Sequence, residues 1–171
     1  MQHPYRFKCS SCDQWHEGIP GWGWKLPIEY FTVPEAEREE RCFTTTDLCV
    51  VDHEKFFVCG CYEAPVQESS EILSLRVWVQ LSKDDFMEFQ TLLGKPERSH
   101  FGPYAGVLDV SVPSYPETLG LPAILQIRND GIRPLVQVKD SSHTMAEEQR
   151  SGATMARIQA LYDFFEHRVE G

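Results

Sequence analysis

The N-terminal segment carries the feature that most constrains the fold, two cysteines three positions apart followed by a histidine. Cys9, Cys12 and His16 have the spacing with which a short chain segment offers two thiolates and an imidazole to one metal ion. A tetrahedral zinc site needs four nitrogen or sulfur ligands, so a distant segment has to supply the remainder. The other cysteines are Cys42, Cys49, Cys59 and Cys61. The pattern predicts a structural zinc site that is closed by two separate segments.

Length and composition predict an ordinary folded protein. A chain of 171 residues has the length of one domain, and a chain of that size buries roughly 70% of its unfolded surface. The fold as a whole therefore does not depend on a metal. The 42% of hydrophobic residues and 25% of charged residues argue against disorder. We predict a single globular domain over residues 1–171 with an N-terminal Cys-x-x-Cys knuckle.

Charge and hydropathy limit the partners. A formal net charge of -10 makes a nucleic-acid partner unfavourable, because such binding depends on Lys and Arg neutralising phosphates. No stretch reaches the ~18 apolar residues of a transmembrane helix, and the first residues lack the apolar core of a secretion signal. We expect a cytoplasmic protein without a membrane partner, in which cysteines are free thiols or metal ligands. The oligomeric state stays open.

Hydrophobic periodicity predicts most of the secondary structure. Residues 73–81 alternate between apolar and polar, which indicates a strand with one buried face. Residues 45–66 indicate a hairpin, and the remaining strands are predicted at 104–112, 123–128 and 135–139. Ser82 is placed to cap a helix that ends at Gly94. Residues 17–34 are typical of a packed irregular loop, and residues 34–41 of a short solvated helix.

The C-terminal part is predicted to be helical. Thr144 and Glu147 form a capping box, and Gly152 could divide the segment into two helices. Strands follow one another without regular helical crossovers, so the pattern favours a mainly antiparallel sheet. The fold class is therefore predicted as α+β, with one mid-chain helix and a C-terminal helical segment.

The source of the fourth metal ligand is open on spacing alone. Cys59 and Cys61 project from one face of a strand, and a hairpin loop with an odd number of residues would place Cys49 opposite Cys59. An even loop would place Cys49 opposite Val58. Buried, inert thiols are an equal alternative to a metal site, because free cysteine is often a small core residue. A redox pair is less favoured, because no helical pattern follows Cys12.

A set of short motifs along nearly the whole chain resembles a bacterial family known only as domain of unknown function 2199. The matching pieces, in chain order, are Phe7-x-Cys9-x-x-Cys12, His16, Pro20, Arg38, Arg41, Asp47-Leu48-Cys49, Phe57, Gly60, Pro65-Val66, Trp78-Val79-x-Leu81-Ser82, Phe86, Tyr115-Pro116-x-Thr118, Arg133-Pro134, His143 and Gln149-Arg150-x-Gly152. Each motif is unspecific by itself. Their order and spacing carry the resemblance.

The resemblance implies no activity, but it bears on the metal ligands. The family pattern includes Cys49, usually has Arg at the position of Cys59, and does not include Cys61. The resemblance therefore implies a ligand set of Cys9, Cys12, His16 and Cys49. Thr144 departs from the Pro that the family pattern has after His143, which leaves the local backbone there open.

A second group of candidate residues surrounds the start of the C-terminal helix. The candidate ligand-binding residues are Asp140, His143, Gln149, Arg150 and Arg133. A strand end followed by a helix start could bind an anion, and Asp140 could orient His143 as a general base. The alternative is an ordinary solvated connection. His167 is predicted to be a surface residue.

Two functions follow from these patterns. The first is a binding or interaction module with a structural zinc ion as its cofactor. The second is a small hydrolase or ligand-binding protein that uses the Asp140, His143, Gln149 and Arg150 region. No Gly-x-Ser-x-Gly, P-loop or His-Glu-x-x-His motif occurs, so the sequence leaves open whether the protein is an enzyme.

Overall fold

Five strands form a closed barrel at the centre of the protein. The computed structural model describes residues 5–167. The barrel consists of β6 (Lys55–Pro65), β7 (Ile72–Leu81), β8 (Tyr104–Leu108), β9 (Pro122–Gln126) and β10 (Leu135–Val138). Consecutive barrel strands pair antiparallel. The ring closes where Leu135 and Val136 pair in parallel with Cys61 and Tyr62.

The alternation of side chains along β7 shows why the barrel has a dry interior. Leu73, Leu75, Val77 and Val79 are all 0% exposed, as expected for the inward face of a strand with a period of two. Neighbouring strands of the barrel also approach each other closely. A Cβ atom on Gly106 would lie 2.3 Å from the backbone oxygen of Gln80, so only glycine permits the observed approach of β8 to β7.

Shorter strands extend the barrel on two sides. β5 (Leu48–Val51) pairs with β6, β4 (Cys42–Thr44) pairs with β5, and β3 (Trp22–Gly23) lies parallel to β7. A separate two-stranded sheet is formed by β1 (Arg6–Lys8) and β2 (Trp15–Glu17). This small N-terminal sheet carries the Cys-x-x-Cys segment between its strands.

The helices pack around these sheets. They are α1 (Ile28–Thr32), α2 (Arg38–Arg41), α3 (Lys83–Leu92), α4 (Thr144–Ser151) and α5 (Met155–Glu166), and a 3-10 turn at Glu35–Glu37 precedes α2. The Oγ atom of Ser82 accepts a hydrogen bond from the Asp85 N–H at 3.2 Å, which is the predicted cap of α3. Gly152, with a φ of 96°, separates α4 from α5. Within residues 5–167, none of the helices is long and apolar enough to span a membrane.

The structure confirms a fold with both helices and sheets, but it corrects the predicted architecture. The sheet is not simply antiparallel with one mid-chain helix, because β10 returns in parallel to β6 and closes a barrel. A further helix, α1, interrupts the predicted irregular loop at 17–34. The predicted cap at Thr144 is also wrong, since His143 occupies that position and its Nδ1 accepts from the Met145 N–H at 3.0 Å.

Candidate metal centre

The β1–β2 hairpin folds into a tight knuckle around its two cysteines. The Cys9 N–H donates to the Gln14 carbonyl at 2.8 Å, and the Asp13 N–H donates to the Cys9 carbonyl at 3.0 Å. Asp13 turns the chain with a φ of 58°, a conformation that Asp tolerates better than most residues. The register pairs Phe7 with His16. The hairpin therefore returns His16 to the two thiols.

Helix α5 brings the other end of the chain to this knuckle. The ring of Tyr162 stacks on His16 with centroids 4.4 Å apart and meets Phe7 edge-on at 5.3 Å. Phe165 stacks on Trp22 at 5.5 Å, and the Trp22 indole N–H donates to Glu166 Oε1 at 2.9 Å. Aromatic side chains therefore pack across this contact. As a result, the end of α5 lies directly beside the cysteines.

Four potential ligand atoms converge at the contact between the hairpin and α5. They belong to Cys9, Cys12, His16 and His167, and all lie within 4.8 Å of one another. The Cys9 Sγ is 3.2 Å from the His167 Nε2, and the Cys12 Sγ is 3.2 Å from the His16 Nε2. Zinc bond lengths imply ligand–ligand separations of about 3.3 to 3.8 Å around a tetrahedron. The group is thus close to the size that a zinc ion requires.

The surroundings of Cys9 favour the thiolate that a metal would bind. Burial raises the pKa of the Cys9 thiol, but hydrogen bonds from the backbone N–H groups of Cys12 and Ser11 and from the side chains of Cys12 and His167 outweigh it. The pKa of Cys9 is consequently lowered from 9.0 to about 6. Thiolate, and not thiol, is the form that ligates zinc.

Tyr162 fixes the orientation of His16. Its hydroxyl lies 3.1 Å from the His16 Nδ1, while the His16 Nε2 faces Cys12. A metal-binding imidazole commonly donates its second N–H to such a partner, which holds the ring and selects the tautomer. Tyr162 therefore provides the outer support that a metal centre needs.

The structure places the predicted ligand Cys49 elsewhere. Cys49 lies in β5, is 0% exposed and pairs across the sheet with Phe57. Burial raises its pKa to about 12, with further contributions from Cys42 and Asp109. The loop between β5 and β6 has three residues, and for an odd number the sequence predicts Cys49 opposite Cys59. The turn is centred on His53, however, so Cys49 lies opposite Phe57, and the predicted pairing of Cys49 with Cys59 for an odd loop is wrong.

His167 completes the group in the place expected for Cys49, and the sequence prediction missed it. The prediction put His167 at the surface, whereas the structure leaves it half-buried between the hairpin and α5. Its only sequence signal is its position directly after the apolar stripe of α5. A spacing argument cannot find it, because His167 and Cys9 are 158 positions apart in the chain.

Two residues of the predicted ligand-binding group, His143 and Gln149, form hydrogen bonds with backbone atoms. His143 caps α4 through Nδ1, and its Nε2 lies 3.3 Å from the carbonyls of both Pro116 and Glu117. Gln149 accepts from the Val138 N–H at 2.9 Å and donates to the Val136 carbonyl at 2.9 Å. Both side chains therefore hold α4 against neighbouring segments.

The remaining members of that group do not converge on one point. Asp140 accepts hydrogen bonds from the N–H and the hydroxyl of Ser142, and Arg150 donates to the Ser141 carbonyl at 2.9 Å. Arg133 precedes β10 and pairs with Asp47 at 2.7 Å, whereas Asp140 follows β10. Arg133 thus lies at the opposite end of that strand from Asp140.

Comparisons with known proteins agree with the resemblance in the sequence. A family model described as an uncharacterized protein conserved in bacteria matches residues 8–153. This segment contains Cys9, Cys12 and His16 and ends before α5 and His167. Neither the curated proteins nor the solved structures give a match. Since the family model covers most of the chain, the protein belongs to the bacterial family of domain of unknown function 2199.

Proposed function

We propose that this protein is a binding module in which a structural zinc ion fastens the N-terminal hairpin to the C-terminal helix. The observation that carries the metal part is the convergence of Cys9, Cys12, His16 and His167 within 4.8 Å. These residues come from both ends of the described chain. Their meeting at one point is unexpected for side chains with no common role.

The chemistry of the four ligands favours zinc and a structural role. Two thiolates and two imidazoles at tetrahedral spacing are a ligand set that selects zinc over hard cations such as Mg²⁺. Four protein ligands also fill the coordination sphere. A catalytic zinc ion would keep one position for water or substrate, so the proposed ion holds the structure together.

The small N-terminal sheet explains why such a fastening would matter. Its strands have only three residues each, and an isolated two-stranded hairpin is marginally stable in water. The hydrogen bonds that join this sheet to α5 are made by single side chains, such as Gln159 to the Lys8 carbonyl at 3.2 Å and Ser11 to Asp163. A metal ion that joins residues 158 positions apart would stabilise this contact.

Exposed aromatic side chains near β4 support the binding part of the proposal. Phe31 is 57% exposed and Phe43 is 55% exposed. Phe43 borders a groove of about 520 Å³ that Tyr30 and Arg38 also line, and Arg38 lies over the Tyr30 and Phe31 rings. Aromatic residues and Arg are enriched where proteins bind one another. This surface would be the contact for a protein partner.

Metal analysis of the purified protein without a histidine tag tests the zinc ion. We expect about one zinc per chain, and fewer than about 0.2 zinc per chain would reject the site. Substitution by Co²⁺ should give the charge-transfer absorption of thiolate ligands. The absence of that absorption in fully loaded protein would also contradict the proposal.

Two variants decide between the possible fourth ligands. His167→Ala should lose most of the bound zinc. Cys49→Ala should keep it, because this substitution replaces one small buried side chain by another. The opposite result would restore Cys49 as the ligand and reject His167. Circular dichroism of both variants shows whether the barrel is intact, so that loss of zinc is not confused with unfolding.

Photocrosslinking tests the binding surface. A photoreactive phenylalanine analogue at position 43 should give a discrete crosslinked product in bacterial cells. The matched control is the same analogue at Met87, an exposed apolar residue of α3. Equal crosslinking from both positions, or none from position 43, would contradict a partner at this surface.

A further inference from the structure

A second feature, apart from the metal centre and the aromatic surface, is a groove on the outside of the barrel. Gly21, Trp22, Cys61, Ser74, Arg76 and Arg133 line a cavity of about 210 Å³. The register pairs Cys61 with Arg76 across β6 and β7. The cavity therefore lies over two barrel strands, which give it a rigid floor.

Positive charge is concentrated at this groove although the chain has a net charge of -10. Arg76 also lines an adjoining cavity of about 290 Å³ together with Lys25 and Thr46. Arg133 also lines a third cavity of about 180 Å³, which includes Cys59. Arg76 and Arg133 thus face one shared cavity, and each continues into a neighbouring one.

The cations at the groove are incompletely neutralised. Within residues 5–167, the Arg76 and Lys25 side chains have no hydrogen-bond or ion-pair partner. Arg133 uses its Nε to reach Asp47 Oδ1 at 2.7 Å. The neighbouring acid Glu63 is already paired with Arg128 at 3.0 Å. The free donors of a guanidinium without a protein partner are available to a bound anion.

Arg76 is held in place by its backbone. A Cβ atom on Gly23 would lie 2.4 Å from the Arg76 Cβ, so glycine at position 23 permits the close contact between β3 and β7. The Arg76 carbonyl also accepts from the Trp24 N–H at 3.1 Å. The guanidinium therefore extends from a fixed strand, which favours geometrically specific binding.

We propose that the groove between Arg76 and Arg133 binds a small oxyanion, either a phosphate group or a carboxylate. A guanidinium presents a planar fork of donors that matches both anions. The volume of about 210 Å³ is small for a drug-sized ligand and fits one oxyanion with a short substituent. Ser74 adds a hydroxyl donor at the edge of the groove.

Nuclear magnetic resonance of the ¹⁵N-labelled full chain tests the site with inorganic phosphate and acetate as separate probes. Work at low ionic strength limits the screening of exposed charges. We expect at least one probe to give saturable shifts at Trp22 and at the amides near Ser74 and Arg76. Saturation by phosphate alone identifies a phosphate site, and saturation by acetate alone a carboxylate site. Sodium chloride at equal ionic strength is the reference.

Three variants make the test specific. Arg76→Gln should weaken binding roughly tenfold to a hundredfold, as expected for loss of charge-assisted hydrogen bonds. Arg76→Lys, which keeps the charge but loses the fork, should fall in between. Arg150→Gln removes an exposed guanidinium from the other predicted group and should bind like the natural protein.

Several results would overturn the proposal. One is that neither anion saturates the shifts up to about 20 mM. Another is that sodium chloride gives the same shifts. A third is that Arg76→Gln and Arg150→Gln weaken anion binding equally. Because Arg76 lies on the outside of the barrel, we expect Arg76→Gln to keep the amide spectrum of the barrel strands. Should that variant unfold, the Arg76→Lys variant and the chloride reference still decide the outcome.

Discussion

The imidazole of His16 stacks on the phenol ring of Tyr162 with centroids 4.4 Å apart, and its Nδ1 lies 3.1 Å from the Tyr162 hydroxyl. One residue of α5 thus both packs against the hairpin and orients one of the four potential metal ligands within it. The two effects are separable, because removal of the hydroxyl leaves the ring in place.

We therefore predict that Tyr162→Phe weakens zinc binding about tenfold to a hundredfold, the usual effect of losing an outer hydrogen bond to a ligand. Competition with a zinc chelator measures the affinity. Tyr30→Phe is the matched control, because Tyr30 lines the groove beside β4, and within residues 5–167 its hydroxyl makes no hydrogen bond to any of the four potential ligands. Equal affinities in the two variants would show that Tyr162 contributes packing alone.

The sequence predicts elements well where the signal is local. The helix α3 follows from the cap at Ser82 and the acidic residues after it, and β7 follows from its alternation. Both signals lie within about ten residues and reflect hydrogen bonds or burial of the element itself. For the same reason, Gly152 marks the break between α4 and α5.

Closure of the barrel and the position of the fourth potential ligand depend on contacts that local patterns do not encode. The alternation of β10 would be the same in an open sheet, and only its parallel pairing with Cys61 and Tyr62 closes the ring. Similarly, three of the converging side chains lie in one short segment, whereas His167 arrives from the end of α5. The cross-strand partner of Cys49 depends on the residue at which one turn is centred.

The closed barrel predicts an unusual sensitivity at Gly106. Gly106→Ala should reduce the free energy of unfolding by about 2 kcal/mol or more, because a new Cβ meets backbone and forces β7 and β8 apart. Gly21→Ala is the control, since a Cβ at that position meets nothing within 4 Å; it should change stability by less than about 0.5 kcal/mol. Urea denaturation of both variants measures the difference. Equal stabilities would argue against tight closure at this point.

His143 should behave as a helix cap. Loss of the Nδ1 acceptor in His143→Ala leaves the Met145 N–H unpaired at the start of α4, and we expect a loss of about 1 kcal/mol in unfolding free energy. His143→Asn supplies a different capping acceptor and should recover most of that stability. Chemical denaturation tests the pair. No loss in the alanine variant would show that the cap is dispensable.

Two aspartates should give stability changes of opposite sign when made neutral. Burial raises the pKa of Asp109 above 3.8, and the charge of Glu29 raises it further, although the Glu29 backbone N–H donates to Asp109 at 2.8 Å. The folded state therefore holds the Asp109 proton more tightly than the unfolded state. The ionised Asp109 side chain therefore lowers the free energy of unfolding. This loss of stability is absent below pH 3.8 and grows as the pH rises through the folded pKa.

Asp109→Asn removes this penalty while keeping an acceptor for the Glu29 N–H, so it should stabilise the protein at pH 7 and lose that advantage towards pH 3.8. Asp140 is the matched case, because hydrogen bonds from the Ser142 side chain and backbone lower its pKa below 3.8. Its contribution is present above pH 3.8 and disappears as the pH falls through the lowered value. Asp140→Asn should therefore destabilise the protein at pH 7. Thermal unfolding of both variants and of the natural protein from pH 3 to pH 7 measures the two trends. If the stability of both variants changed with pH in the same way, the opposite pKa shifts of Asp109 and Asp140 would be contradicted.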